Sequence, residues 1–157
     1  MMTLEINTLP QGYTFRKLKL SDYSNNYCET LKGLTTVGNI SPEQFEDLYN
    51  HWSSLPELYR PHVITDSTGL IVATGMLFVE RKLIHECGLV GHIEDISVYE
   101  REQGKKLGIY LVTSLAKLAK QAGCYKVILD CSEENVPFYN KCGFKICGIE
   151  MSQRFSD

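Results

Sequence analysis

The spacing of apolar and polar positions changes several times along this chain, and each change marks an element. Tyr13 to Lys17 alternates and predicts a short first strand. Asp22 to Lys32 is polar with weak helical spacing and predicts a helix ending at Gly33. Ser41, Pro42 and Gln44 have the order of a capping box with proline in the first turn, so a second helix starts there and runs to Trp52. It places Phe45, Leu48 and Trp52 on one face. After Pro61 the period shortens. His62 to Asp66 and Leu70 to Arg81 are rich in branched and apolar residues, and they flank Ser67-Thr68-Gly69 as the arms of a hairpin. Leu89 to Val98 predicts a further strand, with Glu94 and Asp95 adjacent in an otherwise apolar run. Leu107, Leu111, Leu115, Leu118 and Ala122 then recur at helical spacing. Lys117 and Lys120 lie near the end of that helix, where cations suit the dipole, and Gly123 is placed to close it. Val127 to Leu129 predicts a short strand, Ser132 to Lys141 a capped helix closed by Gly143, and Lys145 to Met151 a final strand. The order β-α-α-β-β-β-α-β-α-β implies an α/β protein, a mixed sheet packed by helices. No repeat, low-complexity tract or long linker divides the chain, so residues 1–157 read as a single domain.

Composition narrows this picture. A chain of 157 residues with 43% hydrophobic and 22% charged residues is long enough and apolar enough to build a core. Sixteen basic residues against nineteen acidic ones leave a net charge of −3, which removes any bulk attraction to nucleic acid or an anionic membrane. The longest apolar run, Leu70 to Val79, contains Thr74 and Gly75 and falls well short of the roughly 20 residues of a spanning helix. The start, MMTLEINTLPQGY, lacks the basic and apolar segments of a signal peptide, so a cytoplasmic location is expected. The six cysteines, Cys28, Cys87, Cys124, Cys131, Cys142 and Cys147, form no Cys-x-x-Cys pair, and they are expected to be reduced, mostly buried thiols with no metal.

The first candidate for chemistry is the loop Gln103-Gly104-Lys105-Lys106-Leu107-Gly108, set between a strand and a helix. Free backbone N–H groups at a helix start, with lysines nearby, suit an anion. Taken alone, the loop is neither a Walker loop nor a dinucleotide fingerprint, and an ordinary strand-to-helix turn explains it equally well.

In its context of strand, loop, amphipathic helix, strand and a short helix with Asn135 and Tyr139, this loop resembles that of the GNAT N-acetyltransferase superfamily. The superfamily pattern is Gln/Arg-x-x-Gly-x-Gly/Ala. Gln103 and Gly108 match its ends, while Lys106 stands at the inner glycine, where it is expected to present its N–H with a negative φ. The resemblance implies that acetyl-CoA is held by Ile96, Ser97 and Val98 on the strand, by Gln103, Gly104, Lys105, Lys106, Leu107, Gly108 and Ile109 in the loop, and by Asn135 and Tyr139.

Longer segments are similar to the eukaryotic glucosamine-6-phosphate N-acetyltransferases. They are Leu34 to Gly38, Glu80 to Glu86, Gly91 to Ile96, Gly123 to Cys131 and Asn135 to Phe144. The likeness runs from Tyr13 to Arg154 and is weakest between His51 and Arg60. It implies acetyl transfer from acetyl-CoA to the 2-amino group of glucosamine 6-phosphate within UDP-N-acetylglucosamine biosynthesis, by a homodimer with sites at the interface. The sugar would meet Thr35, Lys82, Leu83, Ile84, His85, Glu94, Asp95, Tyr125, Lys126, Asp130 and Arg154.

The physics of those positions agrees with such a substrate. A phosphate needs cationic donors from separate segments, which Lys82, Lys126 and Arg154 supply; His85 is placed either to join them or to satisfy a backbone carbonyl. Glu94 and Asp95 are neighbours on a strand and point to opposite faces unless a bulge intervenes, as the family has at this place. The resemblance implies direct transfer in a ternary complex, with Asp95 and the surroundings of Asp130 orienting the amine, a strand N–H near Ile96 meeting the oxyanion and Tyr139 meeting the thiolate. Two other readings stay open from the residues: acetylation of a different amine, and a non-catalytic acyl-CoA-binding module.

Overall fold

The structure, a computed structural model, describes residues 8–156; residues 1–7, which carry part of the N-terminal reading, and residue 157 lie outside the described residues. Five strands form one sheet in the order β1 (Thr14–Lys17), β2 (Tyr59–Thr65), β3 (Ile71–Arg81), β4 (Leu89–Val98) and β5 (Cys124–Ile128). The first four are antiparallel and β5 runs parallel to β4, so the sheet is mixed. The expected α/β architecture is therefore found. Helix α4 (Leu107–Gln121) covers one face and buries Leu107, Leu111, Val112, Leu115 and Ala119 against Ile64, Leu77 and Ile93. Helices α1 (Tyr27–Leu31) and α2 (Pro42–Ser54) cover part of the other face, where Tyr27 and Phe45 meet Leu18, Val63 and Ile71. Among the described residues no helix is long and apolar enough to cross a membrane.

Several local signals act as their chemistry requires. Ser41 Oγ accepts from the Gln44 amide at 3.1 Å, and Gln44 returns the bond to the Ser41 amide at 2.8 Å. The β2–β3 turn closes on Asp66, whose carboxylate takes the amides of Thr68 and Leu70 at 2.9 and 3.0 Å. Gly123 ends α4 at φ 91°.

Other expectations need correction. The helix foreseen over Asp22–Lys32 is a 3-10 turn, Leu20–Ser24, followed by α1, with a break at Asn26, whose φ is 70°. The side-chain amides of Asn25 and Asn26 reach the carbonyls of Gly69 and Ile71 at 2.5 and 3.0 Å, and this competition with the helix explains the break. The helix foreseen from Ser132 divides into a 3-10 turn, Glu133–Asn135, and α5 (Val136–Lys141), and Ser132 makes no side-chain cap. Leu48 stays 44% exposed. Strand β2 begins at Tyr59, before Pro61, because β1 ends opposite His62 and leaves an outer edge where proline is tolerated. The final strand, Lys145–Met151, finds no partner among the described residues and carries Ile146, Ile149 and Met151 at 76%, 92% and 92% exposure.

One buried ion pair ties β1 to the turn before α1. Asp22, 2% exposed, takes Arg16 through both oxygens at 2.7 and 2.8 Å and the Lys19 amide at 2.8 Å. Burial works to raise the Asp22 carboxyl, but the Arg16 and Lys19 hydrogen bonds and the Arg16 charge outweigh it and hold it below its ordinary value. The folded value lies under the unfolded one, so this contribution is present above the ordinary carboxylate range and is lost as pH falls below it. Replacing Arg16 with Met leaves a buried carboxylate unpaired and is expected to cost about 3–5 kcal/mol in urea unfolding, with the acid limb of the stability–pH curve flattened.

Candidate active site

The site follows from a mismatch in β4. Two residues of β4, Asp95 and Ile96, stand opposite the single Gly75 of β3, since Thr74 pairs with Ser97 and Met76 with Glu94. Asp95 takes up the extra residue at φ 54°, in the left-handed region. Ile96 turns toward α4, and a side chain at Gly75 would meet Ile96 Cδ1 at 2.5 Å and Leu115 Cδ1 at 3.0 Å, so the bulge needs a glycine there. Asp95 instead lines a cavity of about 240 Å³ together with Tyr27, Phe45, Leu48 and Met76, on the α2 face. Glu94 pairs with Met76 and shares that face. The bulge thus sets two adjacent acids on one side of the sheet, as the sequence resemblance implied.

On its other side β4 is only partly paired. Contact with β5 stops at His92 opposite Ile128, while β4 continues to Val98. Strand β5 itself ends at Ile128, so the edge of β4 beyond His92 is free and forms a wedge with the segment from Leu129 and Asp130 toward α5. Asp130 and Tyr139 belong electrostatically to the wedge. Burial first, then the charges of Asp130 and Asp95, raise the Glu94 carboxyl. Burial also raises the Tyr139 phenol, with Cys131, Cys142 and Asp130 adding to it. Tyr139 packs edge-on against Phe138 and Phe144, and its hydroxyl makes no hydrogen bond among the described residues. Asn135 precedes it by one helical turn on the same face.

The loop closes the wide end of the wedge. Gln103 Nε2 donates to the Val98 carbonyl at 3.4 Å. The first bond within α4 runs from the Tyr110 amide to the Lys106 carbonyl, which leaves the amides of Leu107, Gly108 and Ile109 without helical partners. A side chain at Gly108 would meet the Phe138 ring at 3.1 Å, so this glycine lets α5 approach the start of α4. Lys106 has φ 62°, not the negative φ expected; the chain must reverse from Gly104, at φ 83°, into the first helical residue. Lys105 is engaged by the protein itself, with Nζ 2.8 Å from Glu102 and 3.1 Å from the Tyr13 hydroxyl, which also bonds Glu102. These contacts push its pKa up to about 12. Tyr13 and Glu102 therefore hold the loop to β1, a role not foreseen. The acid-base spacing of Glu102 and Lys105 was visible in the sequence; Tyr13 was not.

The residues expected around the sugar divide into groups. Lys82 pairs with Glu80 at 3.1 Å, and Glu80 also takes His92 at 3.0 Å. His85 lies in a turn, α3 (Ile84–Cys87), with three successive positive φ values of 54°, 57° and 61° at His85, Glu86 and Cys87. Its ring lies 4.1 Å from the Tyr125 ring at a tilt of 31°, and Lys126 Nζ sits 5.9 Å from the Tyr125 ring. Leu83 and Ile84 are 86% and 59% exposed. Thr35 is exposed on the loop between α1 and α2, whose Val37 and Ile40 border the Asp95 cavity. Arg154 lies on the unpaired C-terminal segment, and no ion pair joins it to the others among the described residues. Glu150 of that segment is close enough to Glu94 to help raise it.

Residues 24–144 match the acetyltransferase (GNAT) family. The chain belongs to that family. A Candida albicans glucosamine 6-phosphate N-acetyltransferase is 73% identical over 147 residues, which cover 94% of this chain and 99% of that protein. Glucosamine 6-phosphate N-acetyltransferase 1 of Dictyostelium discoideum is 44% identical, with 90% of each chain covered. The crystal structure of the Arabidopsis thaliana enzyme of the same name superposes with a TM-score of 0.89 at 41% identity, over 92% of this chain and 99% of that one. The bulge and the loop thus lie within a GNAT acyltransferase. Lys106→Gly, which restores the inner glycine of the GNAT pattern, is expected to raise the unfolding free energy by about 0.5–1 kcal/mol, read by urea denaturation, because it relieves a left-handed lysine.

Proposed function

We propose that this GNAT enzyme transfers the acetyl group of acetyl-CoA to the 2-amino group of glucosamine 6-phosphate, releasing N-acetylglucosamine 6-phosphate and CoA. The observation that supports this reading is the acidic cluster of Glu94, Asp95 and Asp130 at the free edge of β4, with Asp130 acting on both Glu94 and Tyr139. High identity to proteins named for this reaction supports the same choice.

Bound acetyl-CoA supplies the acetyl group as a thioester. The amides of Leu107, Gly108 and Ile109, unpartnered within the helix, suit its pyrophosphate, and the free edge of β4 at Ile96–Val98 suits its amide-bearing arm. Asp95 and Asp130 orient the acceptor amine. Glu94, raised by burial and by its acidic neighbours, is the better proton acceptor of the group and takes the amine proton directly or through water. The Ile96 amide meets the negative charge that develops on the carbonyl oxygen. Tyr139, whose phenol is held above its ordinary value, keeps its proton at neutral pH and donates a hydrogen bond to the departing thiolate. Positioning two substrates in one wedge supplies much of the acceleration. The sugar phosphate is met by Lys126, His85 and Arg154, with Lys82 freed from Glu80 as the phosphate arrives.

The working form is a homodimer. The apolar residues Leu83, Ile84, Ile149, Met151 and Phe155 are exposed in a single chain, and the C-terminal segment lacks a strand partner; a second copy supplies cover for both. The reaction belongs to cytoplasmic UDP-N-acetylglucosamine synthesis, carried by one domain.

Thiol release with acetyl-CoA and a panel of amines tests the reaction. Turnover on glucosamine 6-phosphate but not on glucosamine or polyamines is expected; CoA binding without turnover on any amine would favour a binding module. Tyr139→Phe is expected to lower kcat by about 10- to 100-fold with little change in the KM for acetyl-CoA, and unchanged kcat would remove Tyr139 from the chemistry. The Glu94 base must be ionised, so kcat/KM should rise with pH through a value above the ordinary glutamate range, and Glu94→Gln should remove that limb from the profile.

A further inference from the structure

A second cavity lies at the opposite margin of the sheet from the wedge. Strand β1 pairs with β2 over His62–Thr65 and the Leu18 amide donates to the Pro61 carbonyl at 3.0 Å, so only Tyr59 and Arg60, at the very start of β2, lack a neighbour on the outer side. Past the end of β1 the surface forms a groove of about 510 Å³. The groove crosses this free strand edge and so gathers side chains from both faces. Arg60 pairs with Leu77, in the α4-facing core, and comes from that face. Tyr59 comes from the other, beside Tyr49 and Trp52 of α2.

Its chemistry is uneven. Arg60 Nε is buried without a hydrogen-bond partner, the one side-chain nitrogen or oxygen in that condition among the described residues. Among the described residues no carboxylate lies within 4.0 Å of Arg60 or of Lys17, which also lines the groove, whereas Arg16, Lys32, Lys82 and Lys105 each have one. Glu57 is the one acidic side chain in the lining and pairs with neither cation. Two unpaired cations, one with a buried donor, beside three aromatic walls suit a specific kind of molecule.

We propose that this groove is a second binding site, for a small organic anion whose phosphate or carboxylate meets Arg60 and Lys17 and whose flat apolar body lies among Trp52, Tyr49 and Tyr59. None of these residues takes part in the acetyl transfer described above, so the site is independent of it.

Trp52 is the single tryptophan of the chain, and its fluorescence reports the groove directly. Titration of the full-length protein with phenyl phosphate is expected to give a saturable change, with inorganic phosphate binding more weakly. Trp52 also borders the Asp95 cavity, so the Arg60→Met variant decides which space is filled. It should weaken phenyl phosphate by about tenfold or more while acetyl transfer is retained. Glu57→Gln removes the opposing charge at an exposed position and should tighten binding, which keeps the test open if Arg60→Met does not fold. An absent or unsaturable response, binding unaltered by Arg60→Met, inorganic phosphate binding as well as phenyl phosphate, or no gain in Glu57→Gln would overturn the proposal.

Discussion

One extra residue in β4 governs the rest of the site. Strand alternation would place Glu94 and Asp95 on opposite faces, and no choice of side chain could correct that. The left-handed Asp95, opposite Gly75, moves both acids to the α2 face and sends Ile96 toward α4. Parallel pairing with β5 ends at His92, three residues before Asp95. A regular β4 paired along its whole length would hydrogen-bond to its neighbour and offer no free edge. The bulge shapes β4 on its β3 side, and the end of β5 at Ile128 leaves its other side free.

The helices and central strands were legible in the sequence because their signals are local. The capping box at Ser41, the leucine spacing of α4 and the Asp66–Gly69 turn each depend on residues within a few positions of one another. The misplaced elements depend on distant partners. Asn25 and Asn26 break the first helix because they reach carbonyls of the β2–β3 turn and the start of β3, more than forty residues away. The C-terminal segment has the composition of a strand but no edge to join within the described chain. The bulge was foreseen from resemblance alone; residue types on β4 could not have shown it.

Charge followed the same division. The lysines of the loop invited the idea of direct contact with a pyrophosphate, yet Lys105 is held by Glu102 and Tyr13. On the proposed reaction, anion binding at that end falls to backbone amides, whose direction is set by the helix and which do not titrate. In the same proposed reaction, Lys105 serves the ligand by fixing the loop that carries those amides. Nothing in a linear count of lysines separates a cation that touches its ligand from one that braces the backbone around it.

The sugar end poses the harder electrostatic problem. Glu94, Asp95 and Asp130 crowd together, and each raises the cost of ionising Glu94. A phosphorylated amino sugar answers both halves of this field, since its ammonium relieves the acids while its phosphate needs cations at a distance. Lys126 lies beside the His85–Tyr125 pair, but Lys82 is committed to Glu80 and Arg154 lies on a segment without a strand partner. On the proposed reaction, selectivity for the phosphate depends on fixing that segment, and Glu150 on the same segment acts on Glu94. Docking the C-terminal segment against a second copy would therefore set the position of Arg154 and the ionisation of Glu94 together, which couples assembly to catalysis through charge.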